Sequence, residues 1–129
     1  MSRRIVHTES APAAVGPYSQ GIVTGNLIFT AGQIPLDPAT GQLIDGDFTD
    51  RVRRVLDNIE AILNESGTSL AHAVKLTVFL TDLGKFAELN TVFNDRFDGI
   101  EPPARSAVQV SALPLGTDVE IECIAEVVV

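Results

Sequence analysis

The sequence predicts an α/β (α+β) domain in which a mixed sheet is covered on one face by two helices. The length of 129 residues, of which 45% are apolar, suits a single domain spanning residues 1–129 with one core. The hydrophobic period switches between the two-residue repeat of strands and the three- to four-residue repeat of helices. The predicted order is hairpin, helix, strand, helix, strand, strand, so each helix can connect two parallel strands.

A β-hairpin is predicted near the start of the chain. Two alternating apolar runs, at residues 20–24 and 27–31, flank the pair Gly25-Asn26. Both residue types tolerate the positive φ angles of a two-residue turn, so this pair is expected to form the turn. A loop is expected at residues 35–41, because turn-forming residues are concentrated there and its prolines lack a backbone donor.

Two amphipathic helices are predicted. The first begins at Thr49 and ends near Gly67, and the second is capped by Asp82 and ends at Gly99 in a left-handed conformation. In both segments apolar residues recur at steps of three and four, the spacing that lines one face of a helix. These positions are Val52, Val55, Leu56, Ile59, Ile62 and Leu63 in the first helix and Leu83, Phe86, Leu89, Phe93 and Phe97 in the second. Since crossovers between parallel strands are nearly always right-handed, both helices should pack on the same face of the sheet.

Three further strands are predicted, at residues 74–80, 105–110 and 119–128. The last of them is apolar on both faces. One face carries Val119, Ile121, Cys123 and Val127, and the other carries Ile124 and Val128. Helices on one side of the sheet would leave one of these sets in water, and large exposed apolar patches usually mark interfaces. We therefore expect identical subunits to close the second face.

Composition and charge exclude several classes of protein. No apolar run reaches the length of a membrane span, and the arginines near the start are not followed by a signal-peptide stretch, so we expect no membrane association and a cytoplasmic location. The single cysteine, Cys123, cannot form an internal disulfide, which suits a reducing compartment. Neither Cys123 nor His7 and His72 have the spacing of a metal site, so no metal is expected. A formal net charge of −8 argues against nucleic acid as the main partner.

The common signatures of cofactor binding and nucleophilic catalysis are absent from the sequence. Any chemistry must therefore use ordinary polar side chains. Tyr18, the only tyrosine, lies in the stretch Gly16-Pro17-Tyr18-Ser19-Gln20-Gly21, whose glycine and proline favour a defined, non-helical path. Two interpretations remain open: a tyrosine packed at the entrance to a strand, or one that contacts a ligand.

Arg105 is the most informative charged residue. It stands at the start of an otherwise apolar strand, just after Pro102-Pro103. A guanidinium group can bind a carboxylate through two parallel hydrogen bonds, so Arg105 is a candidate anchor for an acidic ligand. The alternatives are a surface arginine at a strand end or an arginine paired within the chain with Glu120 or Glu122.

The glutamates of the last strand share one parity. Glu120, Glu122 and Glu126 should therefore point to the same face of the sheet. Most glutamates in such positions are solvated, but one that lies near a bound carboxylate could move protons through a water molecule. Cys123 has the opposite parity and apolar neighbours, which predicts a packing residue and not a nucleophile.

Five collinear segments together resemble the Rid family of reactive intermediate deaminases. They are Gly16-Pro17-Tyr18-Ser19-Gln20, Ala31-Gly32-Gln33-Ile34-Pro35, Val78-Phe79-Leu80-Thr81-Asp82, Pro103-Ala104-Arg105-Ser106 and Val119-Glu120-Ile121-Glu122. Each segment is short, but together they span nearly the whole chain in the order typical of the family. Pro-Ala-Arg-Ser is the most specific of them.

The resemblance implies a chorismate-mutase-like fold and a homotrimer with three sites in the clefts between subunits. Similar proteins hydrolyse 2-imino acids and their enamine tautomers to 2-keto acids and ammonia, without a cofactor or a metal. The implied activity is that of a 2-iminobutanoate/2-iminopropanoate deaminase acting on small substrates such as 2-aminoacrylate. The alternative is a non-catalytic trimer that binds small carboxylates or regulates a partner enzyme. A ribonuclease or chaperone role, as attributed to some similar proteins, fits the acidic composition less well.

The resemblance also implies roles for individual residues. Arg105 would bind the substrate carboxylate, and Glu120 would position or protonate the reacting groups through water. Tyr18 would reach into the site from the adjacent subunit. Because an imine is already electrophilic, orientation and proton transfer by these groups should be enough for catalysis.

Three more positions match the family's site. Gly32 corresponds to a glycine that approaches the ligand closely, Asn90 to a helix position associated with the site, and the carbonyl of Ala107 to the group that orients the attacking water. Ala31 and Ala107 stand where better-known bacterial members often have serine and cysteine. These changes leave the carboxylate anchor intact, but they alter how polar atoms in the site are satisfied, so rate and substrate range should differ.

Overall fold

The computed structural model of the protein describes residues 3–127. These residues form a mixed α+β structure of six strands and two α-helices, which is the predicted class. The elements are β1 Arg4–Val6, β2 Gly21–Thr24, β3 Leu27–Thr30, α1 Phe48–Glu65, β4 Ala73–Leu80, α2 Phe86–Arg96, β5 Ala104–Gln109 and β6 Val119–Glu126. Within this part of the chain, no helix has both the length and the apolar character needed to cross a membrane.

The six strands form one sheet in the order β1-β2-β3-β6-β4-β5. Strand β6 lies antiparallel to both β3 and β4, whereas β4 and β5 are parallel and are connected by α2. Helix α1 likewise connects two strands of the same direction, β3 and β4. These two are not neighbours, because β6 is inserted between them.

The predicted hairpin is present as β2 and β3, with Gly25-Asn26 as its two-residue turn. Only Gly25 has a positive φ angle, at 59°, so the expectation of positive angles at both residues was wrong for Asn26. Strand β1, which pairs with β2 at the edge of the sheet, was not predicted. Its three residues are too few to show a hydrophobic period.

Helix α1 supplies most of the core on the helix-covered face. All six apolar residues predicted for its stripe are fully buried, namely Val52, Val55, Leu56, Ile59, Ile62 and Leu63. The helix begins one residue before the predicted start because Asp47 and Asp50 form a capping box, in which each carboxylate accepts a hydrogen bond from the other residue's N–H. Gly67, with φ at 87°, follows its end as predicted.

We expect Asp47→Ala to lower the melting temperature at neutral pH, because the first turn of α1 would lose its acceptor. The Asp50 N–H, followed by the Thr49 hydroxyl, lowers the pKa of the Asp47 carboxyl. A carboxylate whose folded-state pKa lies below its unfolded value contributes stability above that value and loses it as pH falls through the folded pKa. Thermal unfolding of the wild type and the variant should therefore differ at neutral pH and converge in strong acid. A difference that persists in strong acid would contradict this assignment.

The second helix begins later than predicted. Asp82 caps a short 3-10 turn, Leu83–Lys85, because its carboxylate accepts a hydrogen bond at 2.8 Å from a backbone N–H inside that turn. Helix α2 itself begins at Phe86, so Leu83 is exposed and is not part of the buried stripe. The left-handed conformation predicted for Gly99 is confirmed, with φ at 74°, but α2 ends earlier than predicted, at Arg96, and Gly99 lies in the turn that follows.

The sheet has a covered face and an open face. The covered face packs against both helices and buries Val119, Ile121, Cys123 and Ala125 of β6. On the open face, defined here as the face away from the helices, an apolar row crosses four strands in register: Ile5, Ile22, Phe29 and Ile124. Ile5 is 64% exposed and Phe29 39% exposed. The predicted second apolar face is therefore present, while Val128 lies outside the described residues.

Candidate active site

Arg105 lies on the edge strand β5, and its side chain points to the helix-covered face, in register with buried Leu76 of β4. The guanidinium carbon is 5.0 Å from the ring centres of both Phe86 and Phe93. Its Nη1 donates a hydrogen bond of 2.8 Å to Oδ1 of Asn90. These three partners recur on one face of α2, so the helix holds the guanidinium in one orientation. We call Arg105, Phe86, Asn90 and Phe93 the arginine cluster.

Within residues 3–127, no carboxylate lies within ion-pair distance of Arg105. The interpretation of Arg105 as the partner of Glu120 or Glu122 is wrong, because these glutamates alternate with buried residues of β6 and so point to the open face. Burial lowers the pKa of Arg105, although an arginine remains protonated at any physiological pH. The cluster thus presents a positive charge that a ligand carboxylate can neutralise.

An open cleft of about 640 Å³ borders Arg105. One wall is the second half of α2 and the other is the segment before β5 that contains Pro102 and Pro103. The lining combines apolar rings with amide and carboxylate groups: Asn90, Phe93, Asn94, Phe97, Asp98, Gly99, Pro102, Pro103 and Arg105. Its volume lies within the usual range for small-molecule sites, about 300–1000 Å³.

A second group of predicted site residues lies where β3 leaves β6. Phe29 pairs with Ile124, but Gln33 pairs with Ile121, so the β3 side carries one extra residue. This is a β-bulge, a feature that often re-aims a side chain beside an active site. The Thr30 hydroxyl accepts a hydrogen bond of 3.0 Å from the β6 backbone next to the bulge. The bulge contains Ala31 and Gly32, and it brings them beside the start of β6.

Glu120 lies directly over Gly32. A Cβ atom at position 32 would overlap the Glu120 carboxylate and would lie 2.9 Å from its Cδ, so glycine is what allows this approach. Burial raises the pKa of Glu120, and the neighbouring charge of Glu122 raises it further. A carboxyl group whose pKa is shifted towards neutrality is suited to proton transfer. We call Gly32 and Glu120 the glutamate cluster.

Tyr18 lies on an exposed loop that leads into β2. Its side chain is 51% exposed, and its hydroxyl accepts a hydrogen bond of 3.2 Å from the Val15 N–H. The interpretation of Tyr18 as a packed residue at a strand entrance is therefore wrong. The Ala31 N–H donates to the Gln20 carbonyl at 2.8 Å, so the chain contacts the bulge two residues after Tyr18.

The two clusters do not meet within one chain. Glu120 is in register with Phe79 of β4, and Phe79 with Val108 of β5, so Glu120 is offset by three residues along β5 from Arg105. The two side chains also point to opposite faces of the sheet. Ala107 belongs to the arginine side, because it is in register with buried Val78 on the covered face.

Comparison with known proteins identifies the family. Residues 8–127 match the family described as endoribonuclease L-PSP. TdcF from Escherichia coli K12, named a putative reactive intermediate deaminase, is 45% identical over 125 residues, which cover 95% of this chain and 96% of TdcF. The structure of YyfA from Yersinia pestis, described as a member of the conserved Rid protein family, is 44% identical with a TM-score of 0.95 and covers 98% of this chain and all of YyfA. The chain belongs to the Rid family.

Membership confirms the resemblance inferred from the five sequence segments and the fold class expected of a Rid protein. Another similar structure is E. coli TdcF with bound serine, which has a TM-score of 0.91 and 44% identity over 95% of this chain and 98% of that one. A RutC family protein of Pyrococcus abyssi is 50% identical over 125 residues, covering 97% of this Rid protein and 98% of the relative. The similarity therefore extends over nearly the full length of each protein.

Two residues beside Arg105 were not recognised as site residues from the sequence of this Rid protein. Phe86 and Phe93 were assigned to the apolar stripe of α2, whereas their rings flank the guanidinium. Phe86 is 40% exposed, so it is poorly explained as a core residue. The sequence did contain a hint of this arrangement. Phe86, Asn90 and Phe93 are spaced by four and three residues, so a polar amide lies between two aromatic rings on one face of the helix.

Across the described residues of the Rid protein, no three potential metal-ligating side chains come together. His7 and His72 are exposed, and Cys123 is buried on the covered face, away from the glutamate cluster. Burial, with a smaller contribution from the charge of Glu60, raises the pKa of Cys123 to about 12. Its thiol is therefore protonated at neutral pH, and Cys123 is the packing residue that the sequence predicted.

Proposed function

We propose that this Rid protein is a hydrolytic deaminase that converts 2-imino acids and their 2-enamino tautomers to 2-keto acids and ammonia. Its substrates would be small, such as 2-aminoacrylate/2-iminopropanoate and 2-iminobutanoate, and it would act in the cytoplasm. The observation that carries the proposal is Arg105, an oriented guanidinium that borders a cleft and lacks an acidic partner among residues 3–127. A structure of the relative TdcF contains serine, a molecule with an α-carboxylate, which supports a carboxylate ligand here.

The proposed reaction divides the work between the clusters. Arg105, held by Asn90, binds the substrate carboxylate through two hydrogen bonds. Water oriented by the carbonyl of Ala107 adds to the imine carbon and gives a carbinolamine, and Glu120 accepts the proton that the water loses. Glu120 passes this proton to the imine nitrogen, then takes the hydroxyl proton of the carbinolamine and delivers it to the nitrogen as the C–N bond breaks, so that a keto acid and ammonia leave. No cofactor or metal takes part.

We further propose that the active protein is a homotrimer with its sites between subunits. The arginine cluster and the glutamate cluster point to opposite faces of one sheet, so a shared site requires the glutamate cluster and Tyr18 of an adjacent subunit. The apolar row on the open face offers a surface for this association. Sedimentation equilibrium at micromolar concentration tests the proposal, and a stable monomer would refute it.

The activity can be tested by supplying the unstable substrate during the assay. A serine or threonine dehydratase generates 2-aminoacrylate, and pyruvate formation is followed with and without this protein. A faster rate with the protein supports the deaminase, and the rate should survive dialysis against a chelator. An unchanged rate, together with keto-acid binding in calorimetry, would favour the non-catalytic binding trimer.

That alternative has one specific observation in its favour. Alanine occupies positions 31 and 107, so the site lacks two side-chain polar groups while it keeps the carboxylate anchor. RNA cleavage, which the family description names, is a less suitable activity, because a net charge of −8 opposes the approach of phosphate groups. Incubation with labelled RNA in parallel with the dehydratase assay would reveal such cleavage.

We expect Cys123→Ala to retain deaminase activity to within a factor of about two, because a thiol that is protonated at neutral pH is not an effective nucleophile. The side chain also faces the helices, whereas the glutamate cluster lies on the open face. The same dehydratase assay measures the effect. Complete inactivation of a folded variant would show that the thiol takes part in the reaction.

A further inference from the structure

The loop that carries Tyr18 is exposed at residues 13–18 and has buried residues at both ends. Residues 13–18 are exposed, whereas Ala11 and Pro12 before the loop and Gln20 after it are buried. In the described chain, the hydrogen bonds of residues 13–19 are formed only within the loop, from Tyr18 N–H to the Gly16 carbonyl and from Val15 N–H to the Tyr18 hydroxyl. The position of the loop on the protein is therefore decided at its two ends.

The side-chain amide of Gln20 joins these two ends. Gln20 is 2% exposed, and its Oε1 accepts a hydrogen bond of 2.7 Å from the Thr8 N–H. Its Nε2 donates to the carbonyls of Thr8 at 2.9 Å, Pro12 at 2.8 Å and Ala11 at 3.4 Å. A buried amide with both its donor and its acceptor satisfied resists rearrangement, because breaking the contacts leaves polar groups unpaired.

The backbone of Gln20 extends this connection to the glutamate cluster. Its carbonyl accepts a hydrogen bond of 2.8 Å from the N–H of Ala31, the residue before Gly32 in the bulge. One residue thus links the incoming chain at Thr8–Pro12, the loop of Tyr18 and the bulge beneath Glu120. No other side chain in residues 3–127 makes hydrogen bonds to Thr8, Ala11 and Pro12 together.

We propose that Gln20 is a positioning residue, which fixes the ends of the loop at residues 13–19 and thereby sets the approach of Tyr18 to the site. The kinetic part of this inference rests on the proposed deaminase function. The structural part does not, because the order of the loop can be measured without any substrate.

The first test uses the fact that the chain has one tyrosine and no tryptophan, so its intrinsic emission reports on Tyr18 alone. Gln20→Met keeps the length of the side chain but removes its donors and acceptor. We expect lower anisotropy of the tyrosine emission and faster quenching by acrylamide, at a temperature where circular dichroism shows both proteins folded. Wild-type anisotropy and quenching in folded Gln20→Met would overturn the proposal. If Gln20→Met does not fold, Gln20→Glu, which keeps the acceptor for the Thr8 N–H and loses the donors, is measured instead.

The second test is a double-mutant cycle with Tyr18→Phe. If Gln20 acts through Tyr18, each single variant should lose deaminase activity, by up to about 100-fold in kcat/KM for a displacement of roughly 1 Å. The double variant should then lose little more than the worse single variant. Effects that multiply would show that Gln20 acts independently of Tyr18 and would overturn the proposal.

Asn58 provides a matched control. It is a fully buried amide on α1 that donates to the carbonyls of Ile34 at 3.3 Å and Leu36 at 3.0 Å, and it holds a different loop. Asn58→Leu should lower the melting temperature while leaving the tyrosine anisotropy unchanged. Any effect of this variant on kcat/KM should multiply with that of Tyr18→Phe. If the wild type itself deaminates nothing, the proposed function fails, and the emission measurement still decides whether Gln20 orders the loop.

Discussion

Arg105→Lys should lower kcat/KM for 2-aminoacrylate by about 30- to 150-fold, which corresponds to the loss of one charged hydrogen bond of about 2–3 kcal/mol. Lysine keeps the positive charge but lacks the planar fork that matches a carboxylate, and it stacks less well between the rings of Phe86 and Phe93. The oligomeric state and the melting temperature should change little, because no acidic partner among residues 3–127 would be left unpaired. The dehydratase assay and thermal unfolding measure the two effects.

Arg96→Lys is the control for this experiment. Arg96 ends α2 and pairs with Asp57 of α1 at 2.8 Å, so it is an arginine on the same helix with an ordinary structural partner. Its substitution should leave kcat/KM unchanged because Arg96 does not line the cleft. It should also change the melting temperature little, since surface ion pairs contribute only about 0–1 kcal/mol to stability. Arg105→Ala extends the test, because pyruvate or 2-oxobutyrate should bind the wild type weakly and this variant not at all. Equal keto-acid binding by the wild type and a folded Arg105→Ala variant would refute the assignment of Arg105 as the anchor.

Gly32→Ala should reduce kcat/KM by roughly 100-fold, the scale expected for a displacement of about 1 Å in a catalytic group. The added Cβ would overlap the Glu120 carboxylate, and this flexible side chain can rotate away. The φ angle of Gly32 lies outside the left-handed region, so the alanine backbone is not strained and the protein should still fold. The loss should therefore appear in activity far more than in the melting temperature.

The double variant Gly32→Ala/Glu120→Asp separates this explanation from a general disturbance of the bulge. A shorter carboxylate relieves part of the overlap with the added Cβ. The double variant should therefore lose less kcat/KM than the product of the losses of Gly32→Ala and Glu120→Asp. Losses that multiply would mean that Gly32 acts through something other than Glu120. A Gly32→Ala variant with wild-type kcat/KM would contradict the proposed role of the close approach.

Much of the fold could be predicted from the sequence because its elements have clear periods. The stripe of α1 was correct at every position, and the hairpin turn was found from one dipeptide. Strand β1 was missed because three residues carry no period. The place of β6 was also not predicted, since alternation shows that a segment is a strand and not which strands it pairs with. Asp82 was predicted to cap an α-helix but caps a 3-10 turn, because a carboxylate forms the same local hydrogen bond at the start of either.

The candidate site was only partly accessible to sequence reasoning. Position and neighbours made Arg105 a candidate, and parity grouped Glu120 with two other glutamates of the same strand. The family resemblance singled out Glu120 among them and added Gly32 and Asn90. The separation of Arg105 and Glu120 onto opposite faces follows from the register of three strands, which needs the pairing pattern and not only the parity within each strand. The aromatic partners of Arg105 could not be predicted, because helical periodicity does not distinguish a phenylalanine that packs in the core from one that packs against a cation.

The insertion of β6 between β3 and β4 has a consequence for how the chain folds during synthesis. The segments β1–β3 and β4–β5 leave the ribosome first, at about 5–20 residues per second, and each then has an unpaired strand edge. The two parts become one sheet only when β6 pairs with them, for example when Ile124 pairs with Phe29, and pairings between residues far apart in the sequence form slowly. Until β6 pairs with them, these unpaired strand edges leave the chain most prone to aggregation. Because Glu120 is itself on β6, a nascent chain has no glutamate cluster until β6 joins the two parts of the sheet, so a subunit cannot contribute to a shared site before its own sheet is complete.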